Sequence, residues 1–154
     1  AASVTSDTLD LSGKMGGDKP TVLRVIVVMS SVLTNLSLYD NNIGPEGAKA
    51  IAEMLKFNAA LTNLNLYDND IGPEGAKAMA EMLKVNTALT NLSLQSSVLT
   101  NHGNDMSGVL ALSEALKVNT ALNKLDVRYN YMRDEEKQEL RDSVKGREGF
   151  ELLV

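Results

Sequence analysis

The stretch "LTNLNLYDNDIGPEGAKAMAEMLKVNTA", residues 61–88, decides the fold because close copies of it lie on both sides. Leu33, Leu61 and Leu89 each begin the phrase L-T-N-L-x-L at intervals of 28 residues, and a related phrase begins 33 residues later at Leu122. A fixed period of this length is typical of a solenoid built from repeated structural units. The sequence therefore predicts an array of such units.

Within one unit the apolar spacing changes from that of a strand to that of a helix. Leu36 and Leu38 alternate with polar residues, which predicts a short strand with one buried face. The next apolar residues follow at i, i+3, i+4 and i+7, the stripe of an amphipathic helix: Ala48, Ile51, Ala52 and Leu55. Each unit is thus predicted to contain one strand and one helix.

Local signals mark where these helices begin and end. Pro45 suits the first helical turn, where its missing N–H is no loss, and Glu46 complements the positive end of the helix. Asn58 follows the helix and is predicted to end it in the left-handed conformation.

One strand and one helix cannot bury their apolar stripe alone, so neighbouring units are expected to stack and share a core. Strands pair at about 4.8 Å whereas helices pack at about 8–10 Å, so the stack should curve with its strands on the inside. The predicted fold is an α/β solenoid, a horseshoe arc with short parallel inner strands and outer helices.

The unit "LTNLSLYDNNIGPEGAKAIAEMLKFNAA" resembles the ribonuclease-inhibitor-like class of leucine-rich repeat, whose pattern is LxxLxLxxN followed by xxIGxxGAxAIAxxL. Repeats of this class occur in NOD-like receptors and Ran GTPase-activating proteins, and the resemblance extends from residue 33 to about residue 127. It implies a ladder of buried asparagines at Asn41, Asn69 and Asn130. Ser97 breaks this pattern, and we expect a looser turn there.

The period divides the chain, residues 1–154, into parts of a single domain: an irregular first repeat at about 5–32, repeats at 33–60, 61–88 and 89–121, and a last strand with a C-terminal cap at 122–154. Leu9 and Leu11 match the strand leucines, and Pro20 is expected to begin a helix. A charged helix is predicted from about Asp134 to Lys145.

The two ends of the array differ. The last residues, with Phe150, Leu152 and Val154, are expected to cover the final unit. No polar capping unit precedes the first repeat, which is therefore predicted to be uncapped and open to self-association. The start "AAS", without methionine, suggests a fragment or a processed product.

Composition narrows the classes of function. The formal net charge of −5 is spread along the chain, which disfavours nucleic acid as a partner. The longest apolar run, Thr21 to Met29, is too short to span a membrane. The absence of cysteine is compatible with a reducing compartment, and we expect a cytoplasmic protein without membrane contact.

No group of residues predicts chemistry. The run Asp68 to Asp70 resembles a calcium loop only faintly, because the twelfth position is Met79 and not a glutamate. His102 is the only histidine, and no serine and carboxylate are evidently arranged with it. We therefore expect no catalytic residues, no metal site and no cofactor, and hence a protein that is not an enzyme.

An insertion lies within the segment from Ser96 to Asp105. Its sequence "SSVLTN", residues 96–101, duplicates residues 30–35 letter for letter. A recombination scar tolerated in a surface loop explains it, and so does a protruding contact loop, since loops on rigid scaffolds often carry recognition. The sequence leaves its role open.

Function is expected on the side chains that the inner strands leave free. These residues are Asn35, Ser37, Tyr39, Asn63, Asn65, Tyr67, Asn91, Ser93, Gln95, Lys124, Asp126 and Arg128. The resemblance implies a non-catalytic scaffold that binds a protein on this concave face. The alternatives are a regulator of a small GTPase, similar to a GTPase-activating protein, and a fragment of a larger receptor or scaffold.

Overall fold

The computed structural model describes residues 3–5, 7–15 and 32–154. They form one sheet whose strands follow each other in chain order, with a layer of helices on one side. The strands are β1 (Ser3–Thr5), β2 (Thr8–Asp10), β3 (Asn35–Ser37), β4 (Asn63–Asn65), β5 (Asn91–Ser93), β6 (Lys124–Asp126) and β7 (Glu151–Leu153). The helices in these residues are α1 (Gly44–Leu55), α2 (Gly72–Leu83), α3 (Ser107–Val118) and α4 (Asp134–Ser143).

The register of the sheet places equivalent repeat positions side by side. From β2 to β7 every neighbouring pair of strands is parallel, and Leu64 lies between Leu36 of β3 and Leu92 of β5. These leucines belong to one continuous core with the apolar stripes of the helices. The predicted α/β solenoid with parallel inner strands and outer helices is confirmed.

The helical layer packs through small residues. The predicted α1 stripe is buried, and Pro45 occupies the first turn of α1, as the sequence indicates. In α3, a Cβ added at Gly108 would lie only 2.8 Å from the Pro73 carbonyl oxygen and 2.8 Å from the Ala76 Cβ of α2. Glycine is required at this point because the two helix backbones approach so closely.

The asparagine ladder connects neighbouring turns. The Asn69 carboxamide donates to the carbonyl groups of Leu38 and Tyr67 and accepts the backbone N–H groups of Asn41 and Ile43. The buried N–H groups of Asn41 and Ile43 and the Leu38 carbonyl group thereby find a partner in the next repeat. The expectation taken from the family resemblance is confirmed for this residue.

The other ladder positions follow the same scheme with one exception. Asn41 and Asn130 bind in the same way, and Asn130 accepts the N–H groups of Ser97 and Leu99. The Ser97 hydroxyl donates to the carbonyl groups of Leu66 and Gln95, but it lacks the carbonyl oxygen with which a carboxamide would accept backbone N–H groups. The looser turn at Ser97 stays a prediction.

A second series of asparagines follows the helices, and here one prediction is wrong. Asn58 does not adopt the left-handed conformation; instead its side-chain oxygen accepts the N–H groups of Ala60 and Leu61. Asn86 does the same for its own repeat and also donates to the carbonyl groups of Leu55 and Asn58. The chain turns through a side-chain hydrogen bond because an asparagine carboxamide can replace the backbone partner.

The same series continues to the end of the array. Asn119 donates to the Leu83 and Asn86 carbonyl groups. At the next repeat Arg147 takes this place, and its guanidinium donates to the carbonyl groups of Leu116 and Leu122. Burial lowers the pKa of Arg147 below its usual range.

Both ends of the sheet differ from the expectation. Residues 3–5 form β1, which pairs antiparallel with β2, so β1 and not β2 is the edge strand of the sheet, and self-association through the first repeat stays a prediction. The helix expected from Pro20 lies outside the described residues. At the other end α4 begins at Asp134 as predicted, and the segment expected only to cover the last unit adds a seventh strand, with Leu152 beside Leu125.

Candidate protein-binding face

The inner face of the sheet carries side chains in columns, because each strand leaves its first and third residues pointing away from the core. A groove of about 280 Å³ runs along this face. Its lining includes these polar residues: Asn35, Ser37, Asn63, Asn65, Asn91, Ser93, Lys124 and Asp126. All eight were predicted from the sequence to lie on this face.

A row of carboxamides crosses the groove. Asn63 donates to the side-chain oxygen of Asn35 at 2.6 Å, and Asn91 donates in turn to the side-chain oxygen of Asn63. Asn35 donates to the hydroxyl of Thr8, which also lines the groove. Each amide of this row is therefore oriented by its neighbour before any partner binds.

Thr8 is the polar groove residue that the sequence analysis missed, and the core leucines Leu36, Leu64 and Leu92 also line the groove. Thr8 lies directly beside Asn35 in the sheet register. The signal was present in the sequence, since Leu9 lies 27 residues before Leu36 and the residue before each strand leucine faces inward.

Two tyrosines continue the columns beyond the strands. The rings of Tyr39 and Tyr67 are stacked with centroids 4.8 Å apart and planes inclined by 14°. Loss of solvent raises the pKa of Tyr39 above its usual range, and Tyr67, Asp40 and Asp68 add to the shift. The phenol therefore stays protonated at neutral pH and can donate a hydrogen bond.

The charged residues predicted for this face all form ion pairs within the chain. Asp126 is buried and binds the Arg128 guanidinium through two hydrogen bonds, at 3.0 and 2.7 Å. Lys124 forms an ion pair with Glu151 of β7 at 2.8 Å. These charges are compensated within the chain, which leaves the groove with mainly neutral polar groups.

Four groups on the inner face lack a hydrogen-bond partner within the described part of the chain. They are the hydroxyl of Ser93, the carboxamide of Gln95 and the phenol groups of Tyr39 and Tyr67. All four residues are half-buried. They are the positions at which a partner can add hydrogen bonds without displacing existing ones.

The insertion is partly core. Ser97, Leu99 and Thr100 are fully buried, and the Thr100 hydroxyl donates to the Asn130 carbonyl group. Only the residues after Thr100 form an excursion, which rejoins the fold where Asp105 accepts from the backbone and hydroxyl of Ser107. These two hydrogen bonds lower the pKa of Asp105.

The described residues contain no group of three or more histidine, aspartate or glutamate side chains that could hold a metal ion. Among the helices of the described residues, none combines the length and apolar character needed to cross a membrane. The chemistry that the inner face offers is that of hydroxyl, carboxamide and phenol groups.

Comparison with known proteins agrees with this geometry. A leucine-rich repeat family model matches residues 30–52 and 57–80. The structure of leiomodin-1 actin-binding site 2 is similar with a TM-score of 0.72 and 22% identity, over 89% of this chain and 78% of that chain. The C-terminal domain of Caenorhabditis elegans tropomodulin is similar with a TM-score of 0.70 and 14% identity, over 90% and 82% of the two chains.

At these identities the structural likeness concerns the fold, and no curated protein matches the sequence. The 28-residue period, the parallel inner sheet, the asparagine ladder and the family match agree with one another. The chain has the fold of a leucine-rich repeat solenoid, and its residues 30–52 and 57–80 match the leucine-rich repeat family model.

Proposed function

We propose that this protein is a non-catalytic interaction module that binds a protein partner on its inner face. The observation that carries the proposal is the set of four unpaired polar groups, on Ser93, Gln95, Tyr39 and Tyr67, beside a pre-formed groove. Tyrosines are frequent anchors in protein interfaces because they bury a large ring and keep a polar tip. A floor that is already ordered reduces the entropy lost on binding.

The paired charges support the same assignment. Because Asp126 and Arg128 neutralise each other, a partner meets little uncompensated charge on this face. Shape and hydrogen bonding would therefore select the partner more than long-range electrostatic attraction does. The twelve residues predicted from the sequence remain the proposed contact set, with the charged members acting through their pairs.

The structural likeness suggests which proteins to test first. Leiomodin-1 contributes a domain described as an actin-binding site, so purified actin is the first probe. Small GTPases form the second set, because GTPase regulation is the alternative function indicated by the sequence resemblance. Binding to a GTPase with acceleration of GTP hydrolysis would replace the present proposal, whereas binding without acceleration would agree with it.

The experiment measures binding of immobilised protein to actin, to the GTPase set and to partners captured from a lysate. The test variant replaces Tyr39, Tyr67 and Gln95 by alanine. The control variant replaces Lys49 and Lys77 by alanine on the outer helices, where both residues make only exposed ion pairs.

We expect the inner-face variant to weaken binding of a specific partner at least tenfold, and the outer-face variant to change it less than twofold. Both variants should retain the wild-type circular dichroism spectrum. Loss of binding in the outer-face variant together with retention in the inner-face variant would contradict the proposal. A partner that responded to neither variant would place the site elsewhere on the molecule.

A further inference from the structure

A second surface lies on the rim formed by the turns that follow the strands. In each repeat the residues on both sides of the ladder position have positive φ, among them Asp68 and Asp70 in one repeat and Tyr129 and Tyr131 in another. Aspartate and asparagine tolerate this conformation well, whereas it is unfavourable for a bulky residue. The last repeat thus keeps two aromatic rings at positions where the backbone favours small polar residues.

These aromatic rings face solvent. Tyr129 is 70% exposed and Tyr131 is 62% exposed, although neither belongs to the inner-face groove. The ring of His102, from the excursion of the insertion, lies against Tyr131 with centroids 5.1 Å apart and an inclination of 58°. The insertion therefore extends an exposed aromatic surface beside these turns.

The aromatic rings line a cleft of about 470 Å³, here called the rim cleft, together with Asp68 and Asp70. Neither carboxylate forms an ion pair with any described residue, and both are exposed. Ser96 and Val98 complete the lining, so the cleft contains no lysine or arginine. Its charge is negative and uncompensated, in contrast to the paired charges of the inner face.

We propose that the rim cleft binds an arginine side chain in a basic segment of a protein partner. A guanidinium can lie flat over the face of Tyr131, where the ring quadrupole attracts a cation. The carboxylates of Asp68 and Asp70 lie in the same cleft, two repeats before Tyr131, where they attract the positive charge of the basic segment and can accept hydrogen bonds from its arginines. A lysine ammonium offers the charge without the flat surface and should bind more weakly.

The rim cleft shares no residue with the inner-face groove, so it can be tested without the partner of that face. The probe is a fluorescein-labelled heptapeptide of alternating glycine and arginine, and the reference peptide has glutamine in place of arginine. Binding to the full chain is measured by fluorescence anisotropy at pH 7.5 and 50 mM salt, where charge attraction is weakly screened.

Four variants locate the binding. Asp70→Asn removes one cleft charge, and Glu81→Gln removes one charge from the outer face of α2, where Glu81 pairs with Lys84. Tyr131→Asn removes the ring and places a residue that suits the positive φ, so the fold should be kept. Tyr131→Phe keeps the ring and should bind as the wild type does.

We expect the arginine peptide to bind at least tenfold more tightly than the glutamine peptide. Asp70→Asn and Tyr131→Asn should each lower the affinity for the arginine peptide at least fivefold, and Glu81→Gln should change this affinity less than twofold. Equal weakening by Asp70→Asn and Glu81→Gln would show general charge attraction and would overturn the proposal. Equal affinity for the two peptides, or full binding by Tyr131→Asn, would also overturn it.

Discussion

Replacing Asn69 by serine should reproduce, in the second regular turn, the defect that the third turn carries naturally at Ser97. The Ser97 hydroxyl lies within hydrogen-bond distance of two carbonyl oxygens, between which it shares its one hydrogen, and a serine at position 69 is expected to do the same. What it loses is the carboxamide oxygen that accepts the N–H groups of Asn41 at 3.0 Å and Ile43 at 3.3 Å.

Both of these N–H groups belong to buried residues, so water cannot readily replace the lost acceptor. A net hydrogen bond contributes about 0.5–1.5 kcal/mol, and two are lost, so Asn69→Ser should lower the free energy of unfolding by about 1–3 kcal/mol. Asn63→Ser is the matched control, because the Asn63 side chain is half-exposed and bonds only to other side chains. Its cost should stay below about 1 kcal/mol.

The measurement is urea unfolding followed by circular dichroism. Asn69→Ser should lower the midpoint with an unchanged slope, since the surface exposed on unfolding is the same. A midpoint for Asn69→Ser equal to or above that of Asn63→Ser would refute the reasoning, because the buried ladder would then contribute no more than a solvent-facing amide.

Three further predictions concern packing and charge. Leu64→Ala should lower the free energy of unfolding in urea by about 2–5 kcal/mol because the side chain is buried in the core. Tyr67→Ala should lower it by about 0.5–1.5 kcal/mol, for one lost stacked ring. The reverse order would invalidate the assignment of Leu64 to the core and Tyr67 to the inner face. Gly108→Ala should lower the thermal midpoint. Overpacking against the neighbouring helix costs about 1–3 kcal/mol or more, which outweighs the gain of about 1 kcal/mol in helix propensity. A higher midpoint would contradict the close approach of the two helices. Arg133 lowers the pKa of Glu136 in the folded state, so the ion pair stabilises the fold above the unfolded pKa of about 4.3, and this stabilisation is lost as the pH falls through the lower folded pKa. Glu136→Gln should therefore lower the thermal midpoint at pH 7, and the difference in midpoint from the wild type should shrink between pH 7 and pH 3. A difference that stayed constant over this range would argue against the ion pair.

The sequence predicted the repeat architecture well because its signals are local and recur. The alternation around Leu36, the helical stripe that ends at Leu55 and the ladder position of Asn69 recur in neighbouring units, so each supports the others. Stacking then determines which residues are buried. The inner-face columns followed from the same alternation.

The ends of the sheet could not be predicted in this way. The strand β1 is three residues long and pairs antiparallel with β2. The 28-residue period does not predict this pairing. The strand β7 lacks the repeat phrase and forms because Leu152 completes the core beside Leu125. Because β7 was not predicted, the ion pair between Lys124 and Glu151 of that strand was not predicted either.

The pairing of side chains was the second feature that the sequence did not predict. The sequence placed Asp126 and Arg128 on the inner face, but not the two hydrogen bonds that join them, since these depend on rotamers. The prediction of a left-handed conformation for Asn58 was wrong for a similar reason. Its carboxamide had two ways to end the helix, and the capping hydrogen bonds to Ala60 and Leu61 were adopted.

Hydroxyl-radical footprinting of a complex, read by mass spectrometry, tests most directly whether the inner face is the binding surface. Tyr39 and Tyr67 report on that face, and Phe57, which is 89% exposed in the turn after α1 and does not line the groove, reports on a surface outside it. Binding of the partner should reduce oxidation of both tyrosines and leave Phe57 unchanged. Protection of Phe57 with undiminished oxidation of Tyr39 and Tyr67 would contradict the account.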